Sequence, residues 1–393
     1  MKEPKLNKMV LAQTSSFPIG LAIDRAKGSY IYDVDGNAFL DFTSGIAVSG
    51  LGHGNTKITE AIKQQVDKHL HVMVYGEFQQ KAQIELGTKL TSLLPKSLDQ
   101  VYFVNSGTEA NEGALKLAKR YTGLTEIISF KNSYHGSTHG SLSVSGNESK
   151  KYAFRPLLPD VKFIDFNSME QLHEISEKTA CVIMETIQGD AGVRIPSIRF
   201  MHALRTKCTE TKTLLILDEI QCGMGRTGFM FAFERFGITP DILTLGKALG
   251  AGMPMGAFIA PFKIMNALSN NPPLGHITTF GGHPVVCAAA LAGLTVLEEE
   301  EIIKNVEIKG AFLEAQLHHD NIVELRRVGL LFAIELSSPA AVQKVVEYCH
   351  RHGMLSFWFL SCPESFRIAP PLNISHTDIK KGAKIIIEAL DQL

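Results

Sequence analysis

Short apolar runs alternate with helical stretches through the middle of the chain. Each run is about five residues long, rich in β-branched or aromatic residues and almost continuously apolar, which is typical of strands buried on both faces. These runs cover residues 101–104, 126–130, 161–165, 181–185, 213–218, 241–245 and 256–260. Helical patterns lie between most of them, at 109–121, 169–177 and 200–210. The alternation predicts an α/β fold with a mainly parallel, seven-stranded sheet between helices.

The pattern changes at both ends of the chain. Residues 19–42 predict a hairpin that turns at Asp35 and Gly36. From about residue 285, short apolar runs alternate with long helical stretches at 285–299, 302–319, 340–351 and 377–392. A chain of 393 residues also exceeds the ~250–300 at which a single core stops growing. We therefore expect a large domain of residues 46–285 and a smaller α+β lobe built from both chain ends, residues 1–45 and 286–393.

Composition narrows the class of protein. Hydrophobic residues make up 45% and charged residues 20%, as in an ordinary globular protein, and the net charge of −1 lacks the basic excess of nucleic-acid binders. No apolar stretch reaches the ~20 residues of a membrane span, and the first twenty residues lack the apolar core of a secretory signal. Six scattered cysteines without a C-x-x-C pair predict a reduced, cytoplasmic chain, and no metal-ligand spacing occurs.

The first candidate chemistry lies just after the run at 101–104. Open α/β sheets bind ligands at the carboxyl ends of their strands, so the residues that follow these runs are the candidates for a site. Ser106 is a good N-cap, and Glu109 three residues later completes a capping box. Gly107 lets a ligand approach the backbone, and a helix N-terminus attracts anions. The residues alone leave open an ordinary cap without a ligand.

Two further strand ends carry an acid and an amine. Asp218 ends the run at 213–218, and Lys247 follows the run at 241–245 among small residues. A lysine partly withdrawn from water can be a Schiff-base nucleophile, and an acid at the end of another strand suits a pyridinium nitrogen. The competing interpretation is a dinucleotide fold, since residues 223–228 read G-x-G-x-x-G with Asp241 downstream. Four residues separate that loop from its strand, which is atypical of the dinucleotide motif.

Several longer motifs follow one another along the chain. They include YIYDVDGNAFLDFTSGIAVSGLGH at 30–53, NSGTEANEGALKLAKR at 105–120, YHGST at 134–138, ETIQGDAGV at 185–193, LLILDEIQCGMGRTG at 214–228, PDILTLGKALGAGMPMGA at 240–257, HITTFGGHP at 276–284 and FRIAPPL at 366–372. Nearly the whole chain thereby resembles the class-III pyridoxal-phosphate aminotransferases, the group of acetylornithine, ornithine and 4-aminobutyrate aminotransferases. The resemblance implies fold type I, with pyridoxal 5'-phosphate (PLP) bound by the large domain.

The resemblance also implies roles for residues that would contact the cofactor ring. Lys247 matches the lysine that forms the internal aldimine and then acts as general base and acid. Asp218 matches the aspartate that keeps the pyridine nitrogen protonated, which makes the ring an electron sink. Gln221 would hydrogen-bond the phenolic oxygen, and Tyr134 would stack on the ring face.

The phosphate end of the cofactor is matched by another group. Ser106, Gly107 and Thr108 correspond to the family's phosphate site, at the helix N-terminus already identified. Thr279 corresponds to a residue that reaches the phosphate of the neighbouring subunit, which implies a homodimer with shared active sites. No metal is implied.

Three positions are expected to govern the substrate. Arg367 matches an arginine that pairs with a substrate carboxylate, a task that suits a planar guanidinium. Ser137 stands where relatives usually have arginine, which bears both on 2-oxoglutarate as acceptor and on acetylornithine as donor. Asp190 stands where they have glutamate; being one methylene shorter, it is expected to pair with Arg367 weakly or through water. These departures alter substrate choice and leave the cofactor contacts in place.

We therefore expect an enzyme of amino-acid metabolism that moves a terminal amino group from an ω-amino or diamino acid to a 2-oxo acid by a ping-pong PLP/PMP mechanism. Ornithine, an acylated ornithine and 4-aminobutyrate stay open as donors, and dimer and tetramer stay open as assemblies. The alternatives are an aminomutase or decarboxylase of the same family, an inactive relative and, from another class, an NAD-binding oxidoreductase.

Overall fold

A computed structural model of the protein describes residues 10–15, 18–74 and 76–393. Its strands are β1 (Ile23–Lys27), β2 (Tyr30–Asp33), β3 (Ala38–Asp41), β4 (Gln100–Val104), β5 (Glu126–Phe130), β6 (Val161–Ile164), β7 (Thr179–Glu185), β8 (Leu214–Asp218), β9 (Ile242–Leu245), β10 (Gly256–Ala260), β11 (Glu324–Val328), β12 (Leu331–Glu335), β13 (Met354–Leu355), β14 (Phe357–Trp358) and β15 (Ser365–Ile368). Its helices are α1 (Ser44–Ala47), α2 (Thr56–Lys68), α3 (Lys81–Ser92), α4 (Gly107–Thr122), α5 (His139–Val144), α6 (Ile198–Glu210), α7 (Phe262–Met265), α8 (Pro284–Glu299), α9 (Val306–Glu314), α10 (Pro339–Arg351) and α11 (His376–Leu390).

A seven-stranded sheet forms the centre of the molecule, in the order β4-β10-β9-β8-β7-β5-β6. The pairs β5–β6, β5–β7, β7–β8 and β8–β9 are parallel, whereas β10 runs antiparallel to both β9 and β4. Every apolar run of the sequence is one of these strands, within two residues at either end. The predicted α/β fold with a mainly parallel sheet is confirmed.

The burial of the sheet explains why its strands were legible in the sequence. All residues of β7, β8, β9 and β10 are buried, so both faces are covered and the apolar pattern is continuous rather than alternating. Helix α4 packs on one face with Gly113 against Phe258, where a Cβ would lie 2.4 Å from the ring. This close approach holds the N-terminus of α4 at the carboxyl edge of the sheet.

The two ends of the chain meet in a second sheet, of order β1-β2-β3-β13. Strand β3 pairs in parallel with β13, with Leu40 opposite Met354. The predicted turn between β2 and β3 is confirmed, since Asn37 N donates to Asp33 Oδ1 at 2.8 Å and Gly36 has a φ of +84°. The third sheet, β11-β12-β15-β14, is antiparallel. The domain boundaries at 45/46 and 285/286 stay a prediction.

Two helix predictions are wrong. The stretch 169–177 contains only a 3-10 turn, Glu170–Glu174, because the Gln171 side chain bonds the backbone N–H and the carboxylate of Asp165 instead of facing water. The stretch 302–319 divides into a 3-10 turn, Ile302–Asn305, and the nine-residue α9. Beyond α9, Asn321 bonds His319 and the C-terminal end of α11, so local polar side chains compete with the helix.

Helix α1 is a single turn of unusual hand. Ser44, Ile46 and Ala47 have φ values of +48°, +63° and +63°, in the left-handed region that side chains other than glycine rarely adopt. The buried carboxylate of Asp41 accepts bonds from Thr43 N and Ser44 N, and it holds this turn at the entrance to the large domain.

Within the described residues, no helix is long and apolar enough to cross a membrane. The same residues contain no group of three or more side chains able to hold a metal ion. All six cysteines are buried and free. The expectation about a secretory signal falls partly on residues 1–9, 16 and 17, which lie outside the described part of the chain.

Candidate active site

A cavity of about 450 Å³ lies at the carboxyl ends of β7, β8 and β9. Nine of the eleven predicted site residues line it: Gly107, Thr108, Tyr134, Ser137, Asp190, Asp218, Gln221, Lys247 and Arg367. Ser106 does not line the cavity but caps α4, with its Oγ accepting from Glu109 N at 3.3 Å. Thr279 lies outside, exposed on the loop before α8. The structure thus brings together residues that are up to 260 positions apart in the sequence.

A larger, open cavity of about 1050 Å³ lies elsewhere, between residues 131–195 and 307–364. Its charged side chains already bind one another, as in the contacts Lys131–Asp165 and Arg327–Glu307, both at 2.8 Å. Paired surface charges of this kind are common and weak. We therefore place the chemistry in the smaller cavity, where charged groups are buried.

Asp218 is held rigidly at the end of β8, where it is 4% exposed. Its Oδ2 accepts from Asn111 Nδ2 at 2.8 Å and contacts His135 Nδ1 at 2.7 Å. Its Oδ1 accepts from Ile220 N at 3.0 Å. These donors fix the orientation of the carboxylate at the edge of the cavity.

Lys247 follows β9 and is half-buried in the cavity wall. Burial lowers the pKa of its amine; Asp218 opposes this shift and Arg367 reinforces it. A lowered pKa increases the fraction of neutral amine, which is the form that attacks a carbonyl or accepts a proton. The residue has a φ of +44°, and such strain is found at functional sites more often than elsewhere.

Arg367 and Asp190 form a direct, buried ion pair. Arg367 Nη2 lies 3.0 Å from Asp190 Oδ1, so the water-mediated form of the expected pairing is wrong, and the weaker pairing stays a prediction. Asp190 also accepts from Leu360 N and Ser361 Oγ, both at 3.2 Å, which holds the shorter side chain within reach of the arginine. Burial lowers the pKa of Arg367, and Asp190 opposes this shift. Arg367 Nε has no partner within the described part of the chain, so the guanidinium can take another acceptor.

Glu185 is a cavity residue to which the sequence assigned no role, although it ends β7 as Asp218 ends β8. Its Oε1 accepts from Tyr134 N at 2.9 Å and its Oε2 from Gly189 N at 3.0 Å. Burial, with a contribution from Asp218, raises the pKa of Glu185 to about 8. The side chain ties together the loops that carry Tyr134 and Asp190. Its position, last in a buried apolar run, was the signal available in the sequence.

Part of the cavity lining is uncharged. Tyr134 Oη lies 3.3 Å from Ser137 Oγ, and the rings of Phe357 and Trp358 stack at 4.1 Å between centroids. Ile46, on the left-handed turn α1, completes this wall together with Leu360. A substrate chain that lies here would contact hydroxyl and apolar groups. Arg367 also lines the cavity and supplies a guanidinium.

The N-terminus of α4 forms the remaining wall. The first N–H groups of a helix lack intrahelical acceptors, and here they belong to Gly107 and Thr108. Gly107 is required by packing, because a Cβ would lie 2.7 Å from Ile220 Cγ2. The Thr108 hydroxyl contacts Thr138 Oγ1 at 2.7 Å, and Thr138 in turn donates to Glu112 at 2.5 Å.

These residues fit the cofactor that the resemblance implies. The cavity offers an anionic carboxylate for a ring nitrogen, an amine for an aldehyde and helix N–H groups for a phosphate. Gln221 Oε1 is buried without a partner in the described residues. The oxygen packs against Gly189, where an added Cβ would lie only 1.7 Å from it. An unpaired buried acceptor is costly, and a polar ligand in the cavity would relieve it.

Comparison with known proteins identifies similar chains. The family model described as aminotransferase class-III matches residues 11–390. Acetylornithine aminotransferase of Methanocaldococcus jannaschii is 39% identical over 386 residues, covering 93% of this chain and 92% of that protein. A transaminase from the marine bacterium Virgibacillus superposes with a TM-score of 0.92 at 28% identity, covering 98% of this chain and 97% of that one. A PLP-bound amine transaminase from an uncultivated Pseudomonas species gives 0.90 at 28%, covering 98% of both.

Proposed function

This chain belongs to the class-III aminotransferase family, and from that premise we propose how its cavity residues divide the work. The protein is a PLP-dependent aminotransferase that moves the terminal amino group of an ω-amino acid to a 2-oxo acid. One observation carries the division of roles: Asp218, Lys247 and the N-terminus of α4 line the same cavity.

When bound, PLP supplies an aldehyde that takes up the amine and a ring that stores an electron pair. We assign to Asp218 the role of accepting a hydrogen bond from the protonated ring nitrogen, since three donors fix the position of its carboxylate. Lys247 binds the cofactor and afterwards moves a proton at the reacting carbon of the substrate. Its lowered pKa suits this base, because a general base works best when its pKa is near the operating pH.

The other contacts orient the ligands. The backbone of Gly107 and Thr108, capped by Ser106, is assigned to the phosphate, Gln221 to the phenolic oxygen and Tyr134 to the ring face. Arg367 is assigned to a substrate carboxylate, which would compete with Asp190 for the guanidinium. Ser137 lines the substrate side of the cavity, where its hydroxyl can donate to an acyl or carboxyl oxygen.

For the donor we favour an N-acylated ornithine. An acyl group is uncharged, and Ile46, Phe357, Trp358 and Leu360 give the cavity an apolar surface that suits it. The name of the Methanocaldococcus relative, an acetylornithine aminotransferase, supports the same choice.

We further propose a homodimer with shared sites, in the cytoplasm. Thr279 lies on a loop whose apolar side chains are exposed, among them Leu274, Ile277 and Phe280 at 49–59%. Burial of this loop against a second copy would cover that surface and bring Thr279 to the partner's cavity. The free, buried cysteines fit a reducing compartment.

The test is the visible absorbance of the purified protein with PLP, before and after single donors without an acceptor. We would use ornithine, N-acetylornithine, N-succinylornithine, 4-aminobutyrate and β-alanine. A yellow band that N-acetylornithine bleaches supports the donor, and bleaching by another donor alone contradicts it. CO₂ release, or turnover without an acceptor, would instead favour the decarboxylase or mutase alternatives.

The variant Lys247→Ala is the matched control for this experiment. It should lose both the band and amino transfer, because the amine that binds the cofactor is gone. A variant that keeps the wild-type band would remove Lys247 from its assigned role.

A further inference from the structure

A buried amide links three parts of the site. Asn111 lies on α4 one helical turn after Gly107 and is 0% exposed. Its Nδ2 donates to Asp218 Oδ2 at 2.8 Å and to the backbone oxygen of His135 at 2.7 Å. Its Oδ1 accepts from Thr244 Oγ1 at 2.8 Å. Helix α4, strand β8 and strand β9 therefore meet at one side chain.

The partners fix which way the amide points. A backbone oxygen only accepts, so the NH₂ group of Asn111 must face His135 and its oxygen must face the other way. That oxygen needs a donor, and the hydroxyl of Thr244 provides one. An amide held by a carbonyl on one side and a hydroxyl on the other has no satisfied alternative orientation.

Thr244 is placed for this task by the sheet. It is fully buried on β9, stands opposite Asp218 of β8 in the parallel register and precedes Lys247 by three residues. Its hydroxyl reaches across to α4, so the residue touches neither the cavity nor solvent. A buried polar network of this kind restricts its members more strongly than it would in water.

The effect of the network falls on the two oxygens of Asp218. Oδ2 is occupied by Asn111 and His135, whereas Oδ1 has one donor, Ile220 N, and keeps capacity for a second. We propose that Thr244 and Asn111 are positioning residues that present Asp218 Oδ1 to the ring nitrogen of the cofactor. They also fix the phosphate end, on α4, relative to Lys247 after β9. This inference rests on the proposed function.

The test compares Thr244→Val with Thr244→Ser. Valine keeps the shape but leaves Asn111 Oδ1 buried without a donor, whereas serine keeps the hydroxyl. We would measure the dissociation constant of PLP from the quenching of Trp358, the only tryptophan, and the pH midpoint of the visible band. For the valine variant we expect PLP to bind about tenfold more weakly and kcat to fall about tenfold, with KM nearly unchanged. The serine variant should stay within about twofold.

The midpoint separates positioning from packing. With Asp218 less well fixed, the ring carries less positive charge to oppose protonation of the Lys247 nitrogen, so the midpoint should rise by about half a pH unit in Thr244→Val. A purely structural role would lower Tm and leave the midpoint in place, and that result overturns the proposal. Wild-type protein that stays colourless with PLP would overturn the proposed function itself; a yellow wild type with an unshifted valine variant overturns only this inference.

A second variant keeps the proposal open to refutation if Thr244→Val folds poorly. In Asn111→Asp the introduced carboxyl has no donor when it is ionised and a single O–H when it is protonated, so only the protonated form can donate to Asp218 Oδ2. It would contact Asp218 on β8 and the His135 backbone directly, and the charged groups that act on Asp218 include Glu185 at the end of β7 and Lys247 after β9. We expect kcat of this variant to recover severalfold as pH falls from 8 to 6, relative to wild type; an unchanged ratio across that range contradicts the proposal.

Discussion

Two buried guanidinium groups, in different regions of the molecule, have different surroundings. Arg226, 2% exposed, lies in the glycine-rich loop 223–228, and its Nη1 donates to the backbone oxygens of Leu330 and Pro370, at 3.0 and 2.5 Å. Arg367, 3% exposed, binds the carboxylate of Asp190. In each, one fully buried nitrogen has no partner in the described chain: Nη2 in Arg226 and Nε in Arg367.

The difference lies in what each side chain faces. Arg367 lines the cavity, so a substrate carboxylate can contact it, whereas Arg226 is enclosed by the loop and by the segments around Leu330 and Pro370. Burial lowers the pKa of Arg226 to about 10, a cost that its fixed carbonyl acceptors help to offset. Burial of a charge therefore does not identify a binding site; burial next to an accessible, exchangeable acceptor does.

The loop that contains Arg226 is also the G-x-G-x-x-G sequence that suggested a dinucleotide site, and its role is structural. Residues 223–228 give the required glycine spacing, but the loop encloses Arg226 and packs on the smaller lobe, where Leu330 N donates to Arg226 O at 3.1 Å. The candidate ribose acid, Asp241, binds Arg205 at 2.7 Å and Leu215 N at 2.8 Å. Both features hold the fold together, and the family assignment removes the oxidoreductase alternative.

The largest expected effect is on stability, in the region of Arg226. Arg226→Met should lower the free energy of unfolding by about 3–5 kcal/mol, because two buried carbonyls lose their donor. Urea unfolding measures this loss, with Arg226→Lys as the control that keeps a cation. The folded fraction should transaminate at a rate close to wild type; a specific loss of kcat at full stability would break the comparison.

Two buried carboxyl groups, one in the cavity and one outside it, should each make the free energy of unfolding depend on pH. Burial raises the pKa of Glu185, in the cavity, to about 8 and that of Glu219, bound to Ala232 N, Phe233 N and Thr186 Oγ1, to about 7. At pH values above 4.5, the ordinary pKa of a glutamate, the native state then binds more protons than the unfolded chain. The stability from each group is therefore full below 4.5 and is lost as pH rises through the raised value.

The measurement is unfolding free energy against pH for wild type, Glu185→Gln and Glu219→Gln. The advantage of wild type over Glu185→Gln should shrink by about 2–4 kcal/mol between about pH 4.5 and 8, and its advantage over Glu219→Gln should stop changing near pH 7. Bound substrate should move the first profile and leave the second in place. Parallel, pH-independent differences would show that neither group is protonated in the native state.

A smaller effect is expected at the cavity arginine. Arg367→Lys loses the planar fork, so kcat/KM for carboxylate donors should fall about 100-fold, equivalent to about 2.7 kcal/mol. A simple primary amine without a carboxylate serves as control substrate and should react at nearly the wild-type rate. Equal losses for both substrates would mean that Arg367 acts on the fold, as Arg226 does.

The smallest expected effect concerns Ser137. In Ser137→Arg a second guanidinium would enter the cavity wall beside Tyr134, and kcat/KM for 2-oxoglutarate relative to pyruvate should rise about tenfold. Ser137→Lys tests whether charge alone suffices. Steady-state rates with each acceptor measure the ratio, and an unchanged ratio would place the distal carboxylate elsewhere.

The central sheet could be predicted from the sequence because its strands are buried on both faces and leave no ambiguity of pattern. The acid and the amine of the site could also be predicted, since Asp218 ends one such strand and Lys247 follows another. The roles of Asn111 and Thr244 could not be predicted, because a polar residue within a helix or strand pattern shows no special role in the sequence until its hydrogen-bond partner is known. The direct pairing of Asp190 with Arg367 depends on Leu360 and Ser361, which no spacing in the sequence places nearby.

The parallel pairing of β3 with β13 has a consequence for synthesis on the ribosome. Leu40 pairs with Met354, which is synthesised roughly 300 residues later. The sheet that joins the chain ends is therefore completed only when translation is almost over. At typical elongation rates of about 5–20 residues per second, the early hairpin spends roughly 15–60 s with its β3 edge open. Nascent chains should therefore engage chaperones at that edge, and stalled chains truncated before residue 354 should remain protease-sensitive near residue 40.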